Sequence, residues 1–375
     1  MQGRLLGGLT AREFLRRHWQ KRPLLVRGAM PDIGIPQGKR AFFSLAQRTD
    51  VESRLVARRA GRWTVEHGPI PGARLARMPG RDWTLLVSGV NLHCDAADRL
   101  LRRFAFVPQA RLDDVMVSYA APGGGVGAHC DSYDVFLLQA SGRRIWRLER
   151  ARRFALVSGA PLRLIGDFAP EEEYLLEPGD LLYLPPGWGH EGVALEASWT
   201  YSIGFRAPRR SEIAAAFLDY LHERGFSDGA YRDPDLRPAV RSARIGTALV
   251  RFAEQALRQV RWSRRDVRAM LGCFLTAPKA HVVFRAPARA LARPAFSARL
   301  TRCTVALDRK TQLLYLGSRM FLNGDIVVPL RHQCAALARL ADRRRAGGTA
   351  LARAGLGDLL YDWYRNGYLH LEQDT

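Results

Sequence analysis

Lysine is nearly absent from this chain: of 58 basic residues in 375, only Lys21, Lys39, Lys279 and Lys310 are lysine. The net charge of +22 is therefore arginine charge. A lysine-rich nucleic-acid tail is excluded. The arginines are spread along the sequence rather than gathered in one arm, so direct nucleic-acid binding does not follow from the charge alone. Cysteine is scarce as well. Cys94, Cys130, Cys273, Cys303 and Cys334 are odd in number, scattered, and form no C-x-x-C pair. This excludes a disulfide framework and a zinc ribbon, and predicts five free thiols in a reducing compartment. No apolar run approaches the ~20 residues that a membrane helix needs. Residues 1–17 lack the apolar stretch and cleavage site of a signal peptide. The expectation is a cytoplasmic protein with no membrane partner.

What is present reads as three textures, which suits a length sufficient for two or three domains. Near the start, Phe14, Leu15 and Trp19 fall at helical spacing behind Thr10, a plausible N-cap. RPLLVRGA and WTLLVSGV (83–90) read as strands. From 114 to 204 the strand signal is dense: DVMVSYA, YDVFLLQA, RRIWRLE, DLLYLP and SWTYSIGF are short, β-branched or aromatic, and separated by Gly/Pro turns. That pattern predicts a barrel or sandwich. After Pro208 the segments 211–225, 245–260 and 263–275 are helical. Beyond Pro294, short strands at 304–308, 313–317 and 325–329 precede a helix carrying Leu330, Cys334, Leu337 and Ala341 on one face, a second helix near 356–366 and a closing strand. This last mixture predicts a winged-helix-like module.

The strongest chemical signal is GAHCD. His129 and Asp131 are two apart, and on an extended strand alternate side chains share a face. The Cys130 thiol between them is expected on the opposite face. A third donor follows in GDLLYLPPGWGH, where Pro185, Pro186 and Gly187 turn a strand and His190 re-enters the sheet. Two histidines and one carboxylate are the donor set of non-haem iron(II) oxygenases, which leaves half the coordination sphere open. A lone H-x-D is weak, and a lone His is more often a satisfied core residue. The combination inside one strand-dense region carries the reading.

In SGRRIWRLE, alternation puts Arg144 on the face of Trp146 and Leu148, the barrel interior, and Arg143 on the other. A buried arginine fork suits a dicarboxylate cosubstrate. PGGGVG (122–127) lacks the ending of a phosphate loop and precedes a strand, so it reads as a flexible turn shaping the site mouth.

The segments WQKRPLLVRG, 113–148, EPGDLLYLPPGWGHEG and SWTYSIGFR, with WSRRDVRAMLGCFLTAPK and YDWYRNGYLHLE further on, resemble the bacterial ribosomal oxygenases of the JmjC-type cupin group. Within that group they resemble the branch that hydroxylates an arginine of large-subunit ribosomal protein sixteen. The resemblance covers nearly the whole chain. It implies an α+β fold: a JmjC-type double-stranded β-helix (cupin, jelly-roll) over residues 1–207, a helical dimerisation region over 208–280, and a winged-helix-like domain over 281–375. It implies Fe(2+) held by His129, Asp131 and His190, and 2-oxoglutarate and dioxygen as cosubstrates, with Arg144 on the distal carboxylate. Ser118 and Ser202 are further cosubstrate contacts by position only, and ordinary strand serines are an equal reading. The implied activity is β-hydroxylation of an arginine in a large-subunit ribosomal protein by a homodimer. A basic substrate loop ought to meet acidic groups at the mouth, and Asp113, Asp114, Glu171, Glu172 and Glu173 are available. The alternatives are a histidine hydroxylase or demethylase of the same group, or a non-enzymatic metal-binding cupin acting as a nucleic-acid-binding regulator.

Overall fold

The computed structural model describes residues 2–35, 38–150, 154–226 and 228–373. After a short helix, Gln2–Leu5, the helix Ala11–Arg17 begins where the sequence placed it. The Thr10 hydroxyl accepts the Glu13 N–H while the Glu13 carboxylate accepts the Thr10 N–H, a reciprocal cap. Its buried Phe14 packs on Phe136 and Tyr183, with ring centroids 5.5 and 5.0 Å away. The turn after the helix is fixed to the barrel through buried Asp134, which accepts from the Tyr183 hydroxyl at 2.6 Å and from Gln20 Nε2 at 2.9 Å.

Twelve strands follow: β1 (Leu24–Val26), β2 (Ser53–Arg59), β3 (Arg62–His67), β4 (Trp83–Val87), β5 (Leu112–Ala120), β6 (His129–Cys130), β7 (Val135–Ser141), β8 (Arg144–Glu149), β9 (Glu172–Leu176), β10 (Leu181–Leu184), β11 (Gly189–Ala194) and β12 (Ser198–Phe205). They form two antiparallel sheets. The larger runs β1-β10-β7-β12-β5-β4-β2-β3 and the smaller β6-β11-β8-β9. Residues of both sheets line one cavity between them, which is the double-stranded β-helix expected. The alternation of β5 explains the division of its side chains. Val115 and Val117 are fully buried in the core, whereas Asp114, Met116 and Ser118 line the cavity.

The hairpin β2–β3 and strand β9 had no clear signal in the sequence. β3 is an edge strand with only partly buried residues, so its pattern lacks the apolar face that marks a strand.

The PGGGVG turn is tightly held rather than flexible. Gly123 N–H donates to Ala194 O at 2.8 Å and Ala194 N–H to Gly124 O at 2.9 Å. A Cβ on Gly124 would lie 2.2 Å from the Trp83 carbonyl oxygen, and one on Gly125 would lie 2.5 Å from that of Gly192. Glycine is required there by the backbones that close on it.

Helices Arg210–Glu223, Thr247–Gln259 and Arg264–Thr276 come next. The C-terminal part contains two three-stranded sheets. One is formed by β13 (Cys303–Leu307), β17 (Arg345–Gly347) and β18 (Leu369–Gln373), the other by β14 (Leu313–Leu316), β15 (Arg319–Leu322) and β16 (Asp325–Val327). Between them, Leu337, Ala341 and Leu360 belong to a separate apolar core. Leu330 is a correction: it precedes the helix Cys334–Arg343 and is 62% exposed, because the chain between Pro329 and Gln333 is a turn.

Gly124→Ala is expected to destabilise the protein by about 1–3 kcal/mol, since its Cβ would meet two backbone carbonyl oxygens, of Trp83 at 2.2 Å and of Ala121 at 2.7 Å. Gly80→Ala, with open space around its Cβ, should stay within about 0.5 kcal/mol. Urea unfolding of the two variants beside the parent checks both.

Candidate metal centre

β6 and β11 pair antiparallel in a register that sets His129 directly across from His190. The two imidazole centroids are 4.2 Å apart. Asp131 follows β6 at once, and its Oδ2 lies 3.7 Å from His190 Nε2. One donor atom from each of the three falls within 4.8 Å of the others. The imidazoles are oriented by backbone. Nδ1 of His129 donates to Gly127 O at 3.0 Å, and Nδ1 of His190 to Trp188 O at 3.1 Å. A carbonyl only accepts, so the proton sits on Nδ1 and the Nε2 lone pair of each ring is free. Burial, and then the neighbouring His129, push the pKa of His190 down to about 4, which keeps that ring neutral at physiological pH.

Cys130 is solvent-exposed, as expected of the residue between two inward side chains. It still touches the rim of the cavity, because β6 ends at that residue and the strand alternation ends with it.

The cavity holds about 890 Å³. Arg144 enters it from β8, where exposure alternates so that Arg144, Trp146 and Leu148 are buried. Leu148 pairs with His190 and Arg144 with Ala194. The arginine is thus four residues, or about 13 Å of strand, from the histidines. One hydrogen bond holds its guanidinium, from Nη2 to Ser198 Oγ at 3.2 Å, and Nε is buried with no partner. Burial alone pushes its pKa down to about 10. Ser118 and Ser202 are buried residues on the facing strands β5 and β12 and line the same cavity. Neither hydroxyl has a hydrogen-bond partner among the described residues.

The acidic groups divide. Asp113 and Asp114 line the cavity, joined by Glu52 from the entry to β2. Asp113 is paired with Lys279 at 2.9 Å and Arg206 at 3.8 Å. Asp114 accepts the Gly89 N–H at 2.8 Å and has no cation within 4.0 Å among the described residues. Glu172 and Glu173 do not line it, a correction that strand geometry explains. They lie on β9 at the edge of the smaller sheet, where Glu173 pairs with Arg147 at 2.8 Å and Glu172 accepts from the Tyr174 hydroxyl. Glu171 precedes that strand and is likewise outside the cavity lining. Glu52 and Lys279, which line the cavity, and Ser198, which holds Arg144, escaped the sequence reading because only long-range packing sets them beside the site residues.

Two families match the sequence: the JmjC domain over residues 99–213 and the ROXA-like winged helix over 259–370. Over 234 residues the chain is 40% identical to the ribosomal protein uL16 3-hydroxylase of Escherichia coli, an alignment covering 62% of each. It is 34% identical to a probable ribosomal oxygenase of Haemophilus influenzae over 61% of this chain and 55% of that one. The aligned sequence thus spans less than two thirds of these curated relatives. The fold match is fuller. The solved structure of the E. coli ribosomal oxygenase YcfD superposes with a TM-score of 0.79 at 31% identity, covering 97% of this chain and 98% of that one. This chain belongs to the JmjC-type ribosomal oxygenases. A second E. coli structure, in complex with cobalt and 2-oxoglutarate, superposes on this ribosomal oxygenase with a TM-score of 0.80.

Burial pushes the pKa of Asp114 up to about 6, with Lys279 pulling it back and Asp113 pushing it further up. A carboxyl raised in the folded state favours the fold below its unfolded pKa of about 3.9, and that advantage is lost as pH rises through 6. Asp114→Asn should therefore stabilise this oxygenase at pH 8 by roughly 2–3 kcal/mol, with no gain at pH 4. Thermal unfolding at the two pH values checks the sign.

Proposed function

We propose that this chain is an Fe(II)- and 2-oxoglutarate-dependent hydroxylase that β-hydroxylates an arginine of a large-subunit ribosomal protein. The observation that carries the cosubstrate reading is the Arg144 guanidinium, buried at the far end of the cavity from the histidine pair with no carboxylate paired to it among the described residues. A desolvated cation without a counter-ion is costly, and a dicarboxylate supplies the missing charge. The three donors suit the metal. Two imidazoles and one carboxylate, presented from one side, match the facial set of iron(II) oxygenases. A site used only for metal storage has no use for Arg144, so this feature favours the enzyme over the metal-binding regulator.

In this reading His129, Asp131 and His190 hold the iron, and Arg144 anchors the distal carboxylate of 2-oxoglutarate with Ser118 and Ser202 beside it. When bound, the iron would let dioxygen oxidise both 2-oxoglutarate, to succinate and carbon dioxide, and a substrate C–H bond, to an alcohol, with one oxygen atom going to each. The chain's own residues fix geometry. The Nδ1–H bonds to Gly127 and Trp188 lock ring orientation, the strands on both sides exclude water, and the substrate's carbon is held near the reacting centre. Asp114, partly buried and without a paired cation among the described residues, is suited to a guanidinium, which supports an arginine target.

The division at residues 207 and 280 is supported by the last barrel strand ending at Phe205, and by the loop that follows Thr276. The helical region supports a homodimer. Helix Thr247–Gln259 buries none of its side chains within one chain, and Leu218, Leu257 and Trp262 are 66%, 74% and 60% exposed. The winged-helix-like part supports a role in assembly or substrate contact over nucleic-acid reading: the helix before β18 carries Asp358 and Asp362, both paired with Arg293. No helix is long and apolar enough to cross a membrane, and a ribosomal substrate fits a cytoplasmic enzyme.

Arg144→Ala is expected to raise the KM for 2-oxoglutarate at least 100-fold, with Arg144→Lys in between, while His190→Ala abolishes both iron binding and turnover. Intact-mass analysis of ribosomal proteins incubated with each variant checks this. A ribosomal protein that gains one oxygen atom with Arg144→Ala as readily as with the parent sinks the reading. Leu257→Asp should turn the dimer into a monomer in light scattering.

A further inference from the structure

Lys279 is one of only four lysines in the chain, and with Arg209 it reaches the cavity from beyond the last barrel strand. It lies three positions beyond the helix Arg264–Thr276, inside the segment matched by the winged-helix family. It lines the cavity together with Glu52, Asp113 and Asp114, and its Nζ is 2.9 Å from Asp113 Oδ1. Behind it a cleft of about 40 Å³ holds His281 and Lys310. Three carboxylates converging on one partly desolvated corner repel one another, and such a cluster relieves itself by taking up a proton. A protonated carboxyl no longer attracts a cation.

We propose that Lys279 is a specificity-determining residue: it is the built-in cation that conditions the acidic corner of the cavity to accept one further cation from the substrate. Lys279 and Arg206 both engage Asp113, which leaves Asp114 as the carboxylate open to the substrate. This rests on the reading of the substrate as an arginine. The groups facing Asp114 are Asp113 on its own strand, Glu52 and Arg54 from the β2 segment, Tyr133 after β6, and Lys279 from the C-terminal half. Arg206 at the end of β12 reaches the corner through Asp113. Burial raises the Asp114 pKa to about 6, and Lys279 is the cation that lowers it against the push of Asp113 and Glu52. Without Lys279 that value rises further, so the corner is protonated near neutral pH. The consequence is a conditional defect. Binding of a cationic peptide weakens at and below neutral pH and recovers in alkali, where Asp114 ionises without help.

The test uses the full-length iron-loaded enzyme under anaerobic conditions, with Lys279→Met, Lys279→Arg and Asp114→Asn beside the parent. Two readouts are followed from pH 5 to 9. One is the infrared carboxyl band that disappears in Asp114→Asn. The other is the anisotropy-derived Kd for a fluorescent arginine-containing ribosomal peptide. In the parent both change through about pH 6, the value to which Asp114 is raised. In Lys279→Met both midpoints are expected to move up by about one unit, so that affinity drops about twofold at pH 7 and close to tenfold at pH 5 and reaches the parent value by pH 9. Lys279→Arg should restore both. A carboxyl band whose midpoint does not move in Lys279→Met overturns the proposal. So does a peptide affinity that falls equally at every pH, the mark of a merely structural lysine. A parent enzyme that binds no basic peptide at any pH overturns the arginine-hydroxylase reading and this one with it, while a shifted carboxyl band in that case shows which of the two failed first.

Discussion

One antiparallel register governs the centre of this molecule. Because His129 is paired across from His190, two imidazoles come from opposite ends of a sixty-residue stretch and face each other with 4.2 Å between their centroids. A slip of one residue would turn both side chains to the other face. The register is protected on either side. The glycine turn before β6 is clamped by backbone contacts that admit no Cβ. After β6, Gly187 N–H donates to Asp131 O at 3.0 Å and ties the second turn to the first. Each ring also donates Nδ1–H to a carbonyl two residues before it. The same local geometry therefore serves both histidines, and their free nitrogens meet beside Asp131.

From that pair the rest of the cavity is an exercise in distance and charge. β8 lies next to β11, so Arg144 belongs to the same sheet as the histidines but sits four residues along it. The separation suits a small dicarboxylate better than a single atom. On the opposite wall, β5 presents Ser118 deep in the barrel and Asp114 nearer its start. Arg144 and the acidic corner of Glu52, Asp113 and Asp114, which Lys279 joins, thus lie on different segments lining one cavity.

The C-terminal half is more than an appended module. Arg206 Nη1 donates to Leu275 O at 2.6 Å and Gln109 Nε2 to Ala341 O at 3.2 Å, so the helical and winged-helix-like parts are fastened to the barrel near its mouth. Lys279 extends that attachment into the cavity itself. Cavity chemistry and domain packing meet at one lysine–aspartate pair.

The sequence by itself determined the local facts. The cap at Thr10, the dense strands from 114 to 204, the inward face of β8 with Arg144, and the shared face of the candidate donors His129 and Asp131 were all legible, because each depends on a period or a turn within about twenty residues. The resemblance to the ribosomal oxygenases rested on the same stretches. Only the tertiary structure decided what depends on contacts across long separations. It moved Glu172 and Glu173 out to a salt-bridged sheet edge, held the glycine turn rigid, and left Leu330 exposed. It also brought Glu52 and Lys279 to the cavity and Ser198 against Arg144 across long separations in sequence. Periodicity tells a side chain which face of its own strand to occupy; it carries no information about which distant backbone will close over that face.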